Sequence, residues 1–336
     1  MTTDTYFDMR NLAWPKGKLG GCPVDGCTAN LERTDIQRDK MDYCPVHHIR
    51  IHAKSRTFVY YGGPDATLRN ILFERQYFKK HIIGNTAKAE THRIGHENSE
   101  DALTWNVFSR LARGDLLRKL LSKLSSLDVM CEPELYLWGL KINLDDLSSP
   151  SLFPPLVSAR GVFEKNIAHF LTEPDIMLYA PGQSLVLVEA KFTSGNTIVS
   201  SSSTHDIIDE KPKSREGILR RYPHDELLEP TFSGPFYSQL YRNLVFAKHM
   251  ANELGVRWFL VNLVSEGQFR QQKNKVEFQD PTQFIHKLLP EKSRDQFLFY
   301  SWERLYVDFV AKETGLHDLA EYMYNKSANG VKAFSV

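Results

Sequence analysis

No run of about 18 consecutive apolar residues occurs in the 336-residue chain, which excludes an apolar membrane-spanning helix. Neither charge is in surplus. Against 41 Asp/Glu stand 42 Lys/Arg, a formal net charge of +1, so the chain is neither a basic nucleic-acid coat nor an acidic-tailed protein. A glycine-rich phosphate loop ending in Gly-Lys-Ser/Thr is missing, which removes an ATP-driven motor, and no segment repeats. Cysteine is scarce, with four in all, and the start Met1-Thr2-Thr3-Asp4-Thr5-Tyr6 lacks the basic and apolar regions of a secretory leader. These two features lead us to expect a cytoplasmic protein whose cysteines are metal ligands or buried thiols rather than disulfides. The length allows a large core and as many as two domains.

Three of the four cysteines fall into a pattern. Cys22 and Cys27 are separated by four residues, Cys44 and His47 by two, and the two pairs by a spacer of 16. Each pair sets two soft ligands across a tight turn with Pro or Gly alongside, the spacing of a small tetrahedral zinc site. Cys22, Cys27, Cys44 and His47 are therefore the expected ligands, with His48 or His52 as substitutes for His47 and the isolated Cys131 as a core thiol. Such a zinc would be structural, folding a module (1–60) too short to build its own core. Knuckles of this kind resemble small zinc ribbons that contact nucleic acid or a partner protein.

The densest chemistry lies between residues 173 and 191. Ile176 to Tyr179 and Leu185 to Val188 are apolar runs joined by Pro181-Gly182-Gln183-Ser184, which predicts a β-hairpin. Asp175 stands at the outer end of the first arm and Glu189 and Lys191 at the outer end of the second. Antiparallel pairing brings these ends together, and strand alternation puts Glu189 and Lys191 on one face. Two carboxylates and an ammonium at one sheet end suit Mg²⁺ or Mn²⁺, with the lysine placed to orient or deprotonate an attacking water.

Around this hairpin, the periodicity predicts helices over Leu68 to His81, from a cap at Asn98 or Ser99 through Leu103, Val107 and Leu111, over Val162 to Leu171, and over Pro235 to Leu254. Strands are expected at Phe58–Tyr61, at Leu135–Trp138, at Val256–Val264, central because nearly all apolar, and at Phe297–Ser301, with Trp302–Lys312 and Leu316–Tyr324 helical. This alternation reads as an α/β layered domain. The stretch from Ser200 through Arg221 is polar and expected to be a mobile loop. Glu100 sits three residues before Leu103 on an apolar stripe, where a carboxylate is costly unless something cationic meets it. Lys and Arg gather locally, six against two Glu between Arg69 and Arg93 and five against Asp115 between Arg110 and Lys123, in helices that could face a duplex.

Pro174, Asp175, Glu189 and Lys191 in such a hairpin resemble the core of the PD-(D/E)xK nuclease superfamily, the restriction-endonuclease-like fold. The resemblance covers about 95–265 of a domain spanning 61–336, and implies a mixed central β-sheet flanked by helices. It implies that Asp175 and Glu189 bind Mg²⁺, that Lys191 assists the attacking water, and that Glu100 is the metal-facing acid of the first core helix, with Glu97 as substitute and Glu164 as rival. RecB-like members carry a Gln followed four residues later by Tyr on the helix after the lysine strand. Gln239 matches the first and Asn243 departs from the second. The implied activity is metal-dependent hydrolysis of phosphodiester bonds, in DNA before RNA, with family habit suggesting defence against foreign DNA, repair or transposon-end cutting. The reading from another class is a non-catalytic nucleic-acid-binding or scaffold protein on the same fold, against which the intact Asp175, Glu189 and Lys191 argue.

Overall fold

The computed structural model describes residues 21–336 apart from 25, 37–38, 53–56, 63–64, 84–90, 147–148, 168–170, 200–211, 213, 224–226, 228–233 and 329–330. They group into two units. The first comprises the chain up to Arg110 with Ser265–Gly267 and Trp302–Val336, and the second Leu111–Val264 with Gln268–Ser301.

The first unit carries a four-stranded antiparallel sheet in sequence order, β1 (Glu32–Ile36), β2 (Asp39–Cys44), β3 (Ile49–His52) and β4 (Thr57–Tyr60). Alternation buries Ile49, Ile51, Phe58 and Tyr60 on one face and leaves Arg50 and Val59 half-buried on the other. Helix α1 (Glu100–Leu111) follows. Ser99 Oγ caps it by accepting the Ala102 N–H at 3.1 Å, and Glu100 and Asp101 occupy its positive first turn. Leu103, Val107 and Leu111 are buried as their spacing required.

The helix expected over Leu68–His81 is broken. A 3-10 turn spans Thr67–Asn70, Glu74 takes a left-handed φ of 51°, and helical structure resumes at Arg75–Tyr77 with a π turn over Phe78–Ile82. The cause is tertiary. Asn106 of α1 accepts the Leu72 N–H at 2.8 Å and donates to the Asn70 carbonyl at 2.8 Å, so its amide takes backbone groups a continuous helix would have paired.

The second unit is built on a six-stranded mixed sheet. After α2 (Leu116–Ser125) come β5 (Glu134–Leu137), β6 (Leu140–Lys141), α3 (Pro154–Phe163), β7 (Ile176–Ala180), β8 (Ser184–Ala190), β9 (Ile198–Val199) and α4 (Arg215–Arg221). Then follow β10 (Phe236–Tyr237), α5 (Ser238–Leu254), β11 (Arg257–Val264), α6 (Glu266–Gln271), α7 (Thr282–Leu288) and β12 (Phe297–Ser301). The spatial order is β12-β11-β8-β7-β5-β6, with β12, β11 and β8 parallel and β8, β7, β5 and β6 antiparallel. Every residue of β8 is buried, as suits a central strand covered on both faces. Met177, Leu185, Leu187, Trp258 and Leu260 form one face, packed against Leu240, Leu244 and Ala247 of α5 and Leu156 and Phe163 of α3.

Helix α3 begins eight residues before the expected Val162 and ends before Glu164. Pro154 and Pro155 sit at its first two positions, where the missing N–H is no loss. Phe236–Tyr237, read as the start of α5, instead pair with β9. Most of the polar stretch expected to be mobile, Ser200–Lys211 and Lys213, lies outside the described residues, and its end is α4, capped by Ser214 Oγ on the Gly217 N–H. The first unit is completed by two short helical pieces, Trp302–Leu305 and a π turn at Tyr306–Val310, where one helix to Lys312 was expected, and by α8 (His317–Asn325), β13 (Ser327–Ala328) and β14 (Val331–Lys332). No helix among the described residues is long and apolar enough to cross a membrane.

Candidate functional site

In the first unit, β2 ends on Cys44 and the turn to β3 carries His47, while Gly26, at a φ of 72°, closes the Cys22–Cys27 turn with the Cys27 N–H on the Val24 carbonyl. Only a residue tolerant of the left-handed region fits there. The donor atoms of Cys22, Cys27, Cys44 and His47 all lie within 4.8 Å of one another. Cys22 Sγ is 3.4 Å and Cys44 Sγ 3.6 Å from His47 Nδ1, and Cys27 Sγ is 3.9 Å from Cys44 Sγ. A zinc tetrahedron with bonds of about 2.3 Å to sulfur and about 2.0 Å to nitrogen has edges of about 3.5–3.8 Å. The four residues could thus hold a structural zinc. Burial pushes the Cys22 thiol well above its ordinary range, with Cys44 and Cys27 adding to the rise, so a metal here must displace its proton. His48 is turned away onto the Tyr43 hydroxyl. Cys131 belongs to the second unit, half-buried beside Gln183.

In the second unit, the β7–β8 register pairs Ile176 with Val188, so Asp175 stands opposite Glu189, and β11 places Asn262 beside Glu189. One rung across three strands thus reads Asp175, Glu189, Asn262, on the face that carries Met177, Leu187 and Leu260 against α5. Lys191, two residues past Glu189, stays on that face. Asp175 is 7%, Glu189 0% and Lys191 5% exposed, a charged cluster inside an apolar sheet.

Its bonding is specific. Asp175 Oδ2 accepts the Ala190 N–H at 3.0 Å, while Oδ1 has no hydrogen-bond partner among the described residues. Glu189 Oε1 pairs with the Lys191 ammonium, and Oε2 accepts Asn243 Nδ2 of α5 at 2.7 Å. The amides of Asn262 and Asn196 bond each other at 2.9 and 3.1 Å, and the Lys191 N–H bonds the Leu263 carbonyl at 2.7 Å. Burying an ion pair costs several kcal/mol per charge, which these hydrogen bonds offset.

The other expected residues are placed as follows. Gln239, one turn before Asn243, is half-buried and accepts the Thr197 hydroxyl at 3.2 Å. Glu100 belongs to the first unit, half-buried in the first turn of α1. Its substitute Glu97 is buried in that unit with its carboxylate on Ser327 Oγ and its carbonyl on Lys326 Nζ at 2.6 Å. Glu164 is fully engaged, accepting the Thr172 N–H at 2.8 Å, the Thr172 hydroxyl at 2.5 Å and the Tyr222 hydroxyl at 2.8 Å. Several basic side chains face nearby acids: Lys79 with Asp65, Arg110 with Asp318, Arg113 with Asp145, and Arg118 and Lys119 with Asp115.

Sequence reasoning missed Asn243, Asn262 and Asn196 as partners of the cluster. Asn262 left a signal, a lone amide in the apolar run Val256–Val264. Comparison with protein-family models, curated proteins and solved structures finds no match, so the chain's own geometry carries its functional reading.

Proposed function

We propose that the chain is a metal-dependent nuclease of the PD-(D/E)xK type that hydrolyses phosphodiester bonds in DNA. The carrying observation is the buried rung of Asp175 opposite Glu189 with Lys191 on the same face. The antiparallel arms β5, β7 and β8 followed by α5 and the parallel β11 agree with a restriction-endonuclease-like core. Two carboxylates on one face, one with an Oδ1 that has no hydrogen-bond partner among the described residues, are an oxygen donor set suited to Mg²⁺ or Mn²⁺. When bound, such an ion would lower the pKa of a water and oppose the charge gathering on the phosphate.

Each residue has a task in this reading. Asp175 and Glu189 hold the ion, and Asn243 fixes the Glu189 carboxylate. Lys191, whose ammonium already bonds Glu189, presents the water for in-line attack or takes its proton. Gln239 and the first unit's Glu100 remain candidates from the resemblance. The zinc module would give the protein a second contact, with nucleic acid or with a partner protein.

Cleavage of plasmid, single-stranded DNA and matched RNA in Mg²⁺ tests the proposal. Asp175→Asn keeps an acceptor for the Ala190 N–H and Lys191→Met keeps the buried stem, so both preserve packing. Each should slow cleavage by about a hundredfold or more. Undiminished cleavage in both variants removes the mechanism, and binding without cleavage by the wild type favours a scaffold instead.

A further inference from the structure

Arg242 occupies the position between Tyr241 and Asn243 on α5 and is half-buried. Its Nε is shut off from solvent and has no hydrogen-bond partner among the described residues. Neighbouring guanidiniums are satisfied inside the protein: Arg160 Nε and Nη2 both donate to the Thr172 carbonyl, at 3.0 and 2.7 Å, and Arg221 Nε donates to the Phe163 carbonyl at 2.9 Å. No ion pair or side-chain hydrogen bond of Arg242 forms among the described residues. An arginine fixed on a helix without an acceptor bears a desolvation cost that an incoming anion would offset.

Its position favours one kind of anion. Successive α-helical residues are about 100° apart, so Arg242 flanks the direction in which Asn243 reaches Glu189. Its charge is felt by Tyr222, whose hydroxyl is pushed up by burial and by Glu164, with Arg242 opposing. Glu164 in turn holds Thr172, three residues before Asp175. The side of α5 that carries Arg242 therefore lies toward Tyr222 and Glu164, whose partner Thr172 leads into β7 and Asp175.

We infer that Arg242 is the phosphate-binding residue of this site, gripping a phosphodiester of the bound strand on the Asp175 side through its guanidinium fork. The inference rests on reading the rung as a nuclease centre and adds to it the contact that positions the substrate. Arginine suits the task because its planar fork matches two phosphate oxygens and stays charged at any working pH.

Arg242→Met, which keeps the stem, and Arg242→Lys, which keeps the charge, test it. Anisotropy of labelled single- and double-stranded DNA would be measured in Ca²⁺ over a series of salt concentrations. Arg242→Met should weaken binding roughly ten- to a hundredfold and make the slope of log affinity against log salt shallower by about 0.7 to 0.9. Arg242→Lys should restore the slope but only part of the affinity. Independently, inorganic phosphate should raise the melting temperature of the wild type and not of Arg242→Met. Equal salt slopes, or a phosphate response that the two proteins share or both lack, overturn the assignment. A wild type that cleaves nothing yet shows the Arg242-dependent phosphate response removes the nuclease reading and keeps the anion site. An unchanged slope beside Asp175-dependent cleavage does the reverse.

Discussion

A carboxylate such as Glu189, with no exposed surface, depends entirely on its partners, and two of them are the Lys191 ammonium and the Asn243 amide. Replacing Asn243 by Ala removes a donor 2.7 Å from Oε2, and urea denaturation should show a loss of about 1–3 kcal/mol, the usual cost of stranding a buried polar group. Neutral behaviour would mean that water replaces the amide. At this scale, the sequence told most about residues tied to strand alternation. Asp175, Glu189 and Lys191 could be placed together from two apolar arms and a turn, because a hairpin leaves few registers. Asn243 could not, because which turn of α5 lies over Glu189 depends on how helix and sheet pack.

Among the elements, the turns between Cys22 and Cys27 and between Cys44 and His47 are where a structural zinc could contribute most. Each is too short to hold its ligands by packing, and Cys27 and His47 are only half-buried. Purified protein should carry one zinc per chain, and Cys44→Ser should abolish that stoichiometry. Chelation at pH 7 should unravel the β1–β4 sheet, as loss of hydrogen-exchange protection confined to residues 21–60 of the first unit. Full protection after zinc removal would make the cluster a set of buried thiols. Elements were legible where a local rule was strong. The spacing of the four ligands stood out, and so did the apolar arms of β7, β8 and β11. The helix expected at Leu68–His81 is broken because Asn106, over thirty residues away, claims its backbone groups, and α3 begins before the expected Val162 because Pro154 and Pro155 are tolerated at its first two positions.

For the whole molecule, the decisive fact is that the first unit is assembled from distant parts of the chain. Lys326 and Ser327 return to Glu97 across 229 and 230 residues, and nothing local in the sequence announces that pairing. Burial holds the Lys326 ammonium down to about 8 from an ordinary 10.5, with Glu97 pulling the other way. Below about pH 8, this lysine is protonated whether folded or unfolded. Between about 8 and 10.5, the unfolded chain binds more protons, so the contribution of Lys326 to stability rises with pH across that window. Chemical denaturation of wild type and Lys326→Met from pH 7 to 10 should therefore show the wild type gaining on the variant as pH increases. A constant difference would mean that the lysine does not titrate there.

The same return of the chain sets an order on synthesis. The second unit is nearly complete once Ser301 has been made, whereas the buried acid Glu97 must wait for Lys326 and Ser327 to leave the ribosome. Until then, the first unit lacks these two contacts to Glu97, which favours a nascent chain whose second unit folds first. The β1–β4 turns that zinc could clasp need only residues up to His47 to bring the four ligands together. On a chain built in this order, metal capture would tie the Cys22–Cys27 and Cys44–His47 turns together while the rest of their unit is still being translated.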